Sequence, residues 1–181
     1  MSTVGTSITS VFDHVYERLV GRLEGLSDDE YLWEPAAGCW SLRPGADGRW
    51  HLDGGGGGGP APDPAPITTI AWRICHVVGL GLGGFADWLF GDASLLPEAI
   101  EYPGRAADLG AFLDTNYQAW RSGLAGLSDA DWGEPLGPQW GAYAESSTLD
   151  LALHVLDELV HHGAEVSLLR DLYAARATER S

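Results

Sequence analysis

Apolar residues recur at steps of three and four along several stretches of this chain, and this periodicity limits its fold more than any other feature. From about residue 7 to 26 the steps build one apolar face: Ile8, Val11, Phe12, Val15, Leu19 and Leu23. Similar patterns predict helices over about residues 68–90, 106–127 and 147–175. Because no segment gives a convincing strand pattern, the predicted fold class is all-α, a four-helix bundle with long irregular connections.

The second and fourth predicted helices each have two candidate capping residues. Thr68 or Thr69 can cap the second, and Ser147 or Thr148 can cap the fourth. Irregular connections of roughly 40 and roughly 15 residues flank the second helix, which is more than a simple up-down bundle uses. We expect function to be located there.

The chain of 181 residues suits one domain, so we expect residues 1–181 to form a single helical bundle. Its formal charge of -16 disfavours nucleic acid and anionic lipid surfaces as partners. The two cysteines form no disulfide framework, and the sequence contains neither an export signal nor an apolar run long enough for a membrane span. We therefore expect a cytoplasmic protein.

Glycine is concentrated in two places. Residues 53–66 contain six consecutive glycines followed by alternating prolines, which predicts a flexible loop; the lysine of a phosphate-binding Walker loop is missing. The second predicted helix contains Gly79, Gly81, Gly83 and Gly84. Glycines in a helix indicate close backbone approach or room beside a pocket, and the sequence leaves both uses open.

The chain also repeats itself. The segment Leu-Glu-Gly-Leu-Ser-Asp that begins at Leu23 returns as Leu-Ala-Gly-Leu-Ser-Asp at Leu124, each followed by Glu-Pro and a tryptophan. One helix-ending device used twice would explain this, but we favour a bundle built from two related helix pairs.

The fourth predicted helix has a polar stripe made of metal-ligand residue types. Glu158 and His162 are one turn apart, and His154, Glu158, His162 and Glu165 fall within about 80° around the helix axis. Any surface helix has a polar face, but this stripe contains no lysine or arginine and has Leu151 and Leu169 in line with it at its ends. These features are typical of a half-buried cleft.

A metal site needs a third ligand, and His76 is the best supplier. It lies among Ile74, Cys75, Val77 and Val78 in the second helix, where an imidazole must have its nitrogens satisfied. A hydrogen-bonded core histidine is the alternative. His154 is an alternative ligand to Glu158, although its two-turn separation from His162 makes it less suitable.

Two segments resemble the DinB-like superfamily of metal-binding four-helix proteins. They are residues 68–76, TTIAWRICH, and residues 153–165, LHVLDELVHHGAE, followed by LLRDLY. Many members hold their metal with three histidines, whereas the set here, His76, Glu158 and His162, resembles that of the mycothiol-dependent maleylpyruvate isomerase branch. The resemblance implies one divalent metal ion, zinc first, with nickel, iron or manganese as alternatives, and mycothiol or bacillithiol as cosubstrate.

Other residues near these segments are candidates for supporting roles. His154 and His161 are candidate partners of the ligands or a general base, with a plain surface position as the alternative for His161. Trp40 and Trp72 are candidates for the lining of a pocket, although most tryptophans pack in a core. His51 is a further candidate ligand. Cys75 should face packing, because its side chain points about 100° away from that of His76.

Three functions are compatible with these residues. The first is a metal-dependent enzyme that uses a small-molecule thiol and an electrophile, as an S-transferase or isomerase, or else as a hydrolase. The second is a non-catalytic metal-containing module for ligand binding or stress response. The third is a homodimeric scaffold without metal.

Overall fold

Helices account for most of the computed structural model, which describes residues 3–57 and 62–178. The α-helices are α1 (Thr3–Leu23), α2 (Asp28–Tyr31), α3 (Ile70–Ile74), α4 (Phe85–Phe90), α5 (Leu109–Gly126) and α6 (Thr148–Thr178). A π-helix, Cys75–Gly84, joins α3 to α4 without a break. Short 3₁₀ turns cover Asp53–Gly57, Pro97–Ala99, Ala106–Asp108, Asp131–Gly133 and Pro138–Tyr143. The predicted all-α class is confirmed.

Single hydroxyl groups cap the two helical segments that carry the candidate ligands. Thr69 Oγ1 accepts a hydrogen bond from the backbone N–H of Trp72 at 3.2 Å, so Thr69 rather than Thr68 begins α3. Ser147 Oγ accepts from the backbone N–H of Asp150 at 3.1 Å, and the Asp150 carboxylate accepts from the backbone N–H of Ser147 at 2.9 Å. This reciprocal arrangement starts α6 at Ser147.

The glycines of the π-helix serve both uses that the sequence left open. A Cβ on Gly83 would collide with the side chain of Asn116, and one on Gly79 would lie 3.0 Å from Phe112 Cζ, so these two allow close packing against α5. Gly81 and Gly84 instead line a cavity. Gly79 and Gly83 therefore face α5, whereas Gly81 and Gly84 face the cavity. Turns of π-helix are common at functional sites.

The connection before α3 contains a small sheet that the sequence pattern does not predict. Strands β1 (Leu42–Pro44) and β2 (Trp50–Leu52) pair antiparallel, with Leu42 opposite Leu52. Three residues in each strand are too few to show a period of two. The 3₁₀ turn Asp53–Gly57 follows β2 directly, while residues 58–61 of the predicted flexible loop lie outside the described residues.

The core lies where the four long helical segments meet. Its largest fully buried side chains include Phe12, Ile74, Leu82, Trp120 and Leu159, one or more from each segment. Burial of such side chains contributes roughly 1.5–3 kcal/mol each relative to exposure. In the described part of the chain, no helix is long and apolar enough to cross a membrane.

Helices α1 and α5 meet through a crossed pair of polar contacts. The rings of Tyr16 and Tyr117 stack with centroids 3.8 Å apart. The Tyr16 hydroxyl donates to Asp114 at 2.7 Å, and the Tyr117 hydroxyl donates to Asp13 at 2.6 Å. The two Asp-x-x-Tyr segments therefore extend the sequence repeat backwards from Leu23 and Leu124 and relate α1 to α5.

Candidate metal centre

His76, Glu158 and His162 converge between the start of the π-helix and the middle of α6. Glu158 Oε2 lies 3.4 Å from His76 Nε2 and 3.1 Å from His162 Nε2, and the three candidate ligand atoms are all within 4.8 Å of one another. The one-turn spacing on α6 places Glu158 and His162 on the same face, and helix packing brings His76 to them. We call these three residues the triad.

The second nitrogen of each imidazole is already engaged. His76 Nδ1 lies 2.6 Å from the carbonyl oxygen of Gly56, and His162 Nδ1 lies 2.7 Å from Glu165 Oε2. We assign the ring proton to Nδ1 in both residues, because a carbonyl or carboxylate oxygen can only accept. Arg73 Nη1 also lies 2.9 Å from His162 Nδ1, but it has its own acceptor in Glu165 Oε2 at 2.6 Å. Both Nε2 lone pairs then point towards Glu158, the tautomer and orientation that metal-binding histidines use.

The 3₁₀ turn Asp53–Gly57 holds His76 from one side. Gly56 has a φ of 78°, which favours glycine, and a Cβ there would collide with the side chain of Leu80. On the other side, the Trp72 ring stacks on His76 at a centroid distance of 4.9 Å, and its indole N–H donates to the Asp53 carbonyl at 2.9 Å. The imidazole is therefore fixed in position by ring stacking and by a backbone acceptor.

Arg73 and Glu165 form an ion pair behind His162. Arg73 Nη1 lies 2.6 Å from Glu165 Oε2, and both side chains are less than one third exposed. The same carboxylate oxygen accepts from His162 Nδ1, so the guanidinium and the imidazole lie side by side around it. Glu165 therefore connects the candidate ligand His162 to the Arg73 cation.

The electrostatics of the triad favour its metal-ready form. Burial alone would raise the pKa of the Glu158 carboxyl, but the neighbouring His162 and His76 lower it below its ordinary value. Burial lowers the pKa of His162, opposed by its hydrogen bond to Glu165. An ionised carboxylate and a neutral imidazole are the forms that bind a metal ion.

The atoms of the triad also fit a cation by their hydrogen-bonding chemistry. With Nδ1 protonated in both histidines, the three converging atoms are all acceptors, and none supplies a proton to another. Three such lone pairs this close together repel each other unless a cation or an added proton lies between them. The donor set of two imidazole nitrogens and one carboxylate oxygen is one that suits a divalent transition metal.

One side of the triad opens on a cavity of about 670 Å³. His76 and Glu158 line this cavity, whereas His162 does not, and its side chain is only 10% exposed. The connection between α4 and α5, where the sequence predicts function, forms part of the wall. A small molecule in the cavity can therefore reach the His76 and Glu158 side of the site.

The other predicted histidines have distinct positions. His154 lies one turn before Glu158, lines the cavity, and is near the rings of Phe85 and Tyr143, each with a centroid 6.3 Å away. His161 is exposed, with Nε2 3.3 Å from Glu165 Oε1. His161, His162 and Glu165 form a second group of ligand-type residues, but Glu165 is already paired with Arg73. His51 is on β2, paired with Asp47 at 3.0 Å and outside the triad.

The sequence predicts Trp40 and Trp72 as lining residues of a pocket. Neither is among the residues around the cavity; Trp72 packs beneath His76, and Trp40 lies against Trp72 at a centroid distance of 5.8 Å. The tryptophans of the cavity are Trp88 and Trp140. Trp72 precedes His76 by one turn, so stacking along one helix face explains why it supports the ligand from behind.

Sequence reasoning did not assign three residues that hold the ligands. Gly56 gave no signal beyond its place in a glycine run, because its role depends on a carbonyl and a left-handed backbone. Arg73 could have been noticed as a cation one turn before His76 in an apolar helix. Glu165 was part of the polar stripe without an assigned partner.

Cys75 is buried as expected, and burial raises the pKa of its thiol to about 12.

Comparison with known proteins gives one match. The model of the DinB superfamily matches residues 12–166, which include the whole triad together with Arg73 and Glu165. Comparison with the curated proteins and with the solved structures gives no match.

Proposed function

The chain belongs to the DinB superfamily, and on that premise we propose that it is a divalent-metal-dependent enzyme that transfers the sulfur of a low-molecular-weight thiol to an electrophile. The observation that carries this proposal is the triad, in which two imidazole nitrogens and one carboxylate oxygen converge beside an open cavity. Three protein ligands leave coordination positions for a small molecule, as in catalytic rather than structural sites.

Resemblance supports the choice of a thiol. Glu158 stands where many superfamily members have a histidine, as in the mycothiol-dependent maleylpyruvate isomerase branch, so mycothiol or bacillithiol is the proposed cosubstrate. A divalent ion held by the triad lowers the pKa of a thiol or water that reaches it. Zinc is the first candidate, and the same ligand types also suit nickel, iron and manganese.

The residues around the triad have separate tasks in this proposal. Gly56, Trp72 and Glu165 orient the two imidazoles, and Arg73 pairs with Glu165. His154 lines the same cavity and accepts the thiol proton. In a transfer, the sulfur forms a bond to the electrophilic carbon, and the leaving group departs with the electron pair of the bond that breaks. In an isomerisation, the sulfur adds to a carbon–carbon double bond, whose π electrons move to the neighbouring carbon, and elimination of the thiolate in a second step restores the double bond.

Metal analysis and thiol consumption together test the proposal. We expect about one divalent ion per chain in the untagged protein, and a loss of at least ~10-fold in metal affinity for His76→Ala, since even outer-shell changes cost that much. His51→Ala is the matched control, because His51 is an exposed histidine paired with Asp47 outside the triad. Full metal content in His76→Ala would refute the site.

The reaction is tested with several electrophiles in the presence of mycothiol or bacillithiol. We expect thiol consumption that stops on chelation and returns when metal is restored. A metal-loaded protein that turns over none of them would instead support the non-catalytic ligand-binding module.

A further inference from the structure

One part of the cavity lining consists of rings. Trp140 contacts both Phe85 and Trp88, with centroid distances of 5.9 and 5.7 Å and ring planes inclined by 38° and 69°. The ring of Tyr143 lies 6.3 Å from that of His154 between centroids, at an angle of 27°. All five residues line the cavity. Because aromatic rings attract one another in tilted and offset arrangements at such distances, this wall offers the same contacts to a ring that enters the cavity.

Two of these rings have much of their surface uncovered. The exposed fraction is 41% for Trp88 and 54% for Tyr143, whereas Trp140 is buried. Aromatic side chains stabilise a complex mainly through the area that they bury. A bound aromatic group would cover ring surface that the chain itself leaves open.

A second part of the lining is a surface on the π-helix that has no side chains. Gly81 and Gly84 line the cavity, and a Cβ would lie 3.8 Å from its nearest neighbour at Gly81 and 3.7 Å at Gly84. At Gly83, by contrast, a Cβ would lie 1.9 Å from Asn116 Oδ1 on α5. Packing therefore requires glycine at Gly83 and leaves room for a side chain at Gly81 and Gly84, although glycine weakens a helix.

We propose that the cavity binds a flat aromatic group of the electrophile, and that Gly81 and Gly84 set the size of the group that fits. Mycothiol and bacillithiol contain no aromatic ring, so the group belongs to the electrophile. The volume of about 670 Å³ is within the usual range for small-molecule pockets and leaves room for a two-ring system. The proposal rests on the proposed function only for the reacting end, which must reach His76 and Glu158 in the same lining.

A matched pair of neutral alcohols tests the preference for a flat ring in the absence of metal. 2-Naphthylmethanol carries two aromatic rings, and decahydro-2-naphthylmethanol carries their saturated counterpart, which is the more apolar of the two. Displacement of the fluorescent probe N-phenyl-1-naphthylamine from the chelated protein measures both affinities. We expect the aromatic alcohol to bind at least ~3-fold more tightly, because ring contacts add to the burial of area. Equal or tighter binding of the saturated alcohol would overturn the proposal.

Side chains added to the glycine surface test where the ring binds. Gly84→Leu and Gly81→Leu should each weaken the binding of 2-naphthylmethanol at least ~10-fold, because the new side chain occupies the space of the ring. Gly84→Ala adds only a methyl group and should weaken binding at least ~2-fold. Gly21→Leu is the matched control, since Gly21 is an exposed glycine of α1 with open space around its Cβ and is not in the lining.

These variants should keep the fold. Gly84 has right-handed helical angles, with φ of -62° and ψ of -48°, which leucine and alanine adopt without strain. Both residues also favour a helix more than glycine does, so the Tm of each variant should equal that of the parent or exceed it. If a leucine variant unfolds at a lower temperature, Gly84→Ala carries the test. Unchanged binding in the folded Gly84 and Gly81 variants would refute the assignment of the site.

Removal of one ring from the wall tests the aromatic contacts directly. Trp88→Leu takes away a ring and keeps an apolar side chain. Trp33→Leu is the matched control, because the Trp33 ring contacts Tyr173 at a centroid distance of 5.4 Å and is not in the lining. We expect Trp88→Leu to reduce the preference for the aromatic over the saturated alcohol at least ~2-fold, and Trp33→Leu to leave it unchanged. The same preference in both variants would contradict a role for the rings.

A thiol probe separates this proposal from the proposed function. On the zinc-loaded protein we expect 2-naphthylmethanethiol to bind more tightly than 2-naphthylmethanol, because its sulfur can reach the metal. If the thiol has no advantage while the ring preference and the effect of Gly84→Leu remain, the thiol proposal fails and the cavity proposal stands. If the thiol has its advantage but Gly84→Leu and saturation of the ring change nothing, the cavity proposal fails and the thiol proposal stands.

Discussion

Two helix interfaces in this protein contain clusters of polar side chains, and they differ in how the clusters are satisfied. Between α1 and α5, each hydroxyl donor meets a carboxylate, and the Asp13 carboxylate also accepts from Arg121 at 2.6 and 2.9 Å. Between the α3–π segment and α6, the triad directs two ring nitrogens and one carboxylate oxygen at one another.

This difference distinguishes a structural polar cluster from a functional one. The first cluster is complete, because donors and acceptors match and no further group is needed. In the second cluster, Gly56 and Glu165 accept the Nδ1 protons, but the two Nε2 atoms and the Glu158 oxygen that face one another have no donor among them. An interface that satisfies the Nδ1 hydrogen bonds and leaves the converging acceptors without a donor is consistent with a bound cation.

The largest expected effect comes from removing the charge of the triad. Glu158→Gln keeps the shape of the side chain but replaces a carboxylate oxygen by an amide, which we expect to lower zinc affinity at least ~100-fold, beyond the loss from outer-shell changes. Saturating zinc at ~100 times its dissociation constant should stabilise the unmodified protein by ~2.7 kcal/mol, or about 5–10 °C in Tm, and the variant hardly at all. Competition with a chromophoric chelator and thermal unfolding measure the two effects.

The metal-free form of Glu158→Gln provides the check on folding. The new amide can donate to His76 Nε2 or His162 Nε2, so the metal-free variant should unfold at the same temperature as the metal-free parent or higher. A variant that loses stability without metal, yet keeps its zinc affinity, would show that the triad is a structural cluster like the one between α1 and α5.

A smaller effect on zinc affinity is expected for the residues that contact His162 from outside the triad. Glu165→Gln gives the His162 Nδ1–H group a weaker acceptor and removes the carboxylate that balances the charge of Arg73, whose Nη1 lies 2.9 Å from His162 Nδ1. We therefore expect zinc affinity to fall ~10-fold to 100-fold. Arg73→Met, which removes the cation and keeps much of the chain length, should produce a loss in the same direction. Unchanged zinc affinity in both variants would restrict the metal-binding unit to the triad.

The fold could be predicted from the sequence where the signal is local and periodic. The helix that carries Glu158 and His162 follows from its apolar stripe, and the caps at Thr69 and Ser147 follow from short side chains that precede such stripes. The triad was found because two ligands share one helix face. The third, His76, was a candidate because it is a histidine in an apolar helix, and a family resemblance supported it, since no spacing rule connects residues in different helices.

Features that depend on contacts distant in sequence could not be predicted in this way. The π-helical turn contains Gly79 and Gly83, which pack against α5, and the carbonyl of Gly56 reaches His76 because of a left-handed backbone. The crossed pair of Tyr16 and Tyr117 had a signal, namely the Asp-x-x-Tyr segments at the same separation as the Leu23 and Leu124 repeat. The cavity tryptophans had none, because side-chain burial decides which of eight tryptophans line it.

The interface between α1 and α5 should affect stability alone. Tyr117→Phe removes one hydroxyl that donates to a carboxylate at 2.6 Å and keeps the stacked ring. We expect a loss of about 1 kcal/mol in the free energy of unfolding, measured with urea, and no change in zinc affinity. Tyr16→Phe is the equivalent substitution on α1 and should lower the free energy of unfolding by a similar amount. A fall in zinc affinity in either variant would show that the two interfaces are coupled.

The smallest effect should appear as a pH dependence of that same interface. The hydrogen bond from Arg121, opposed by partial burial and assisted by Tyr117, lowers the pKa of Asp13 below its usual range. A carboxyl group with a lowered pKa in the folded state contributes stability above its unfolded pKa of ~3.9 and loses that contribution as pH falls through the folded value. Asp13→Asn should therefore cost about 0.5 kcal/mol at pH 7, since both partners are partly exposed. The difference from the parent, measured by urea unfolding, should shrink as the pH falls below ~3.9. A difference that stayed constant with pH would mean that Asp13 acts through hydrogen-bond geometry rather than through its charge.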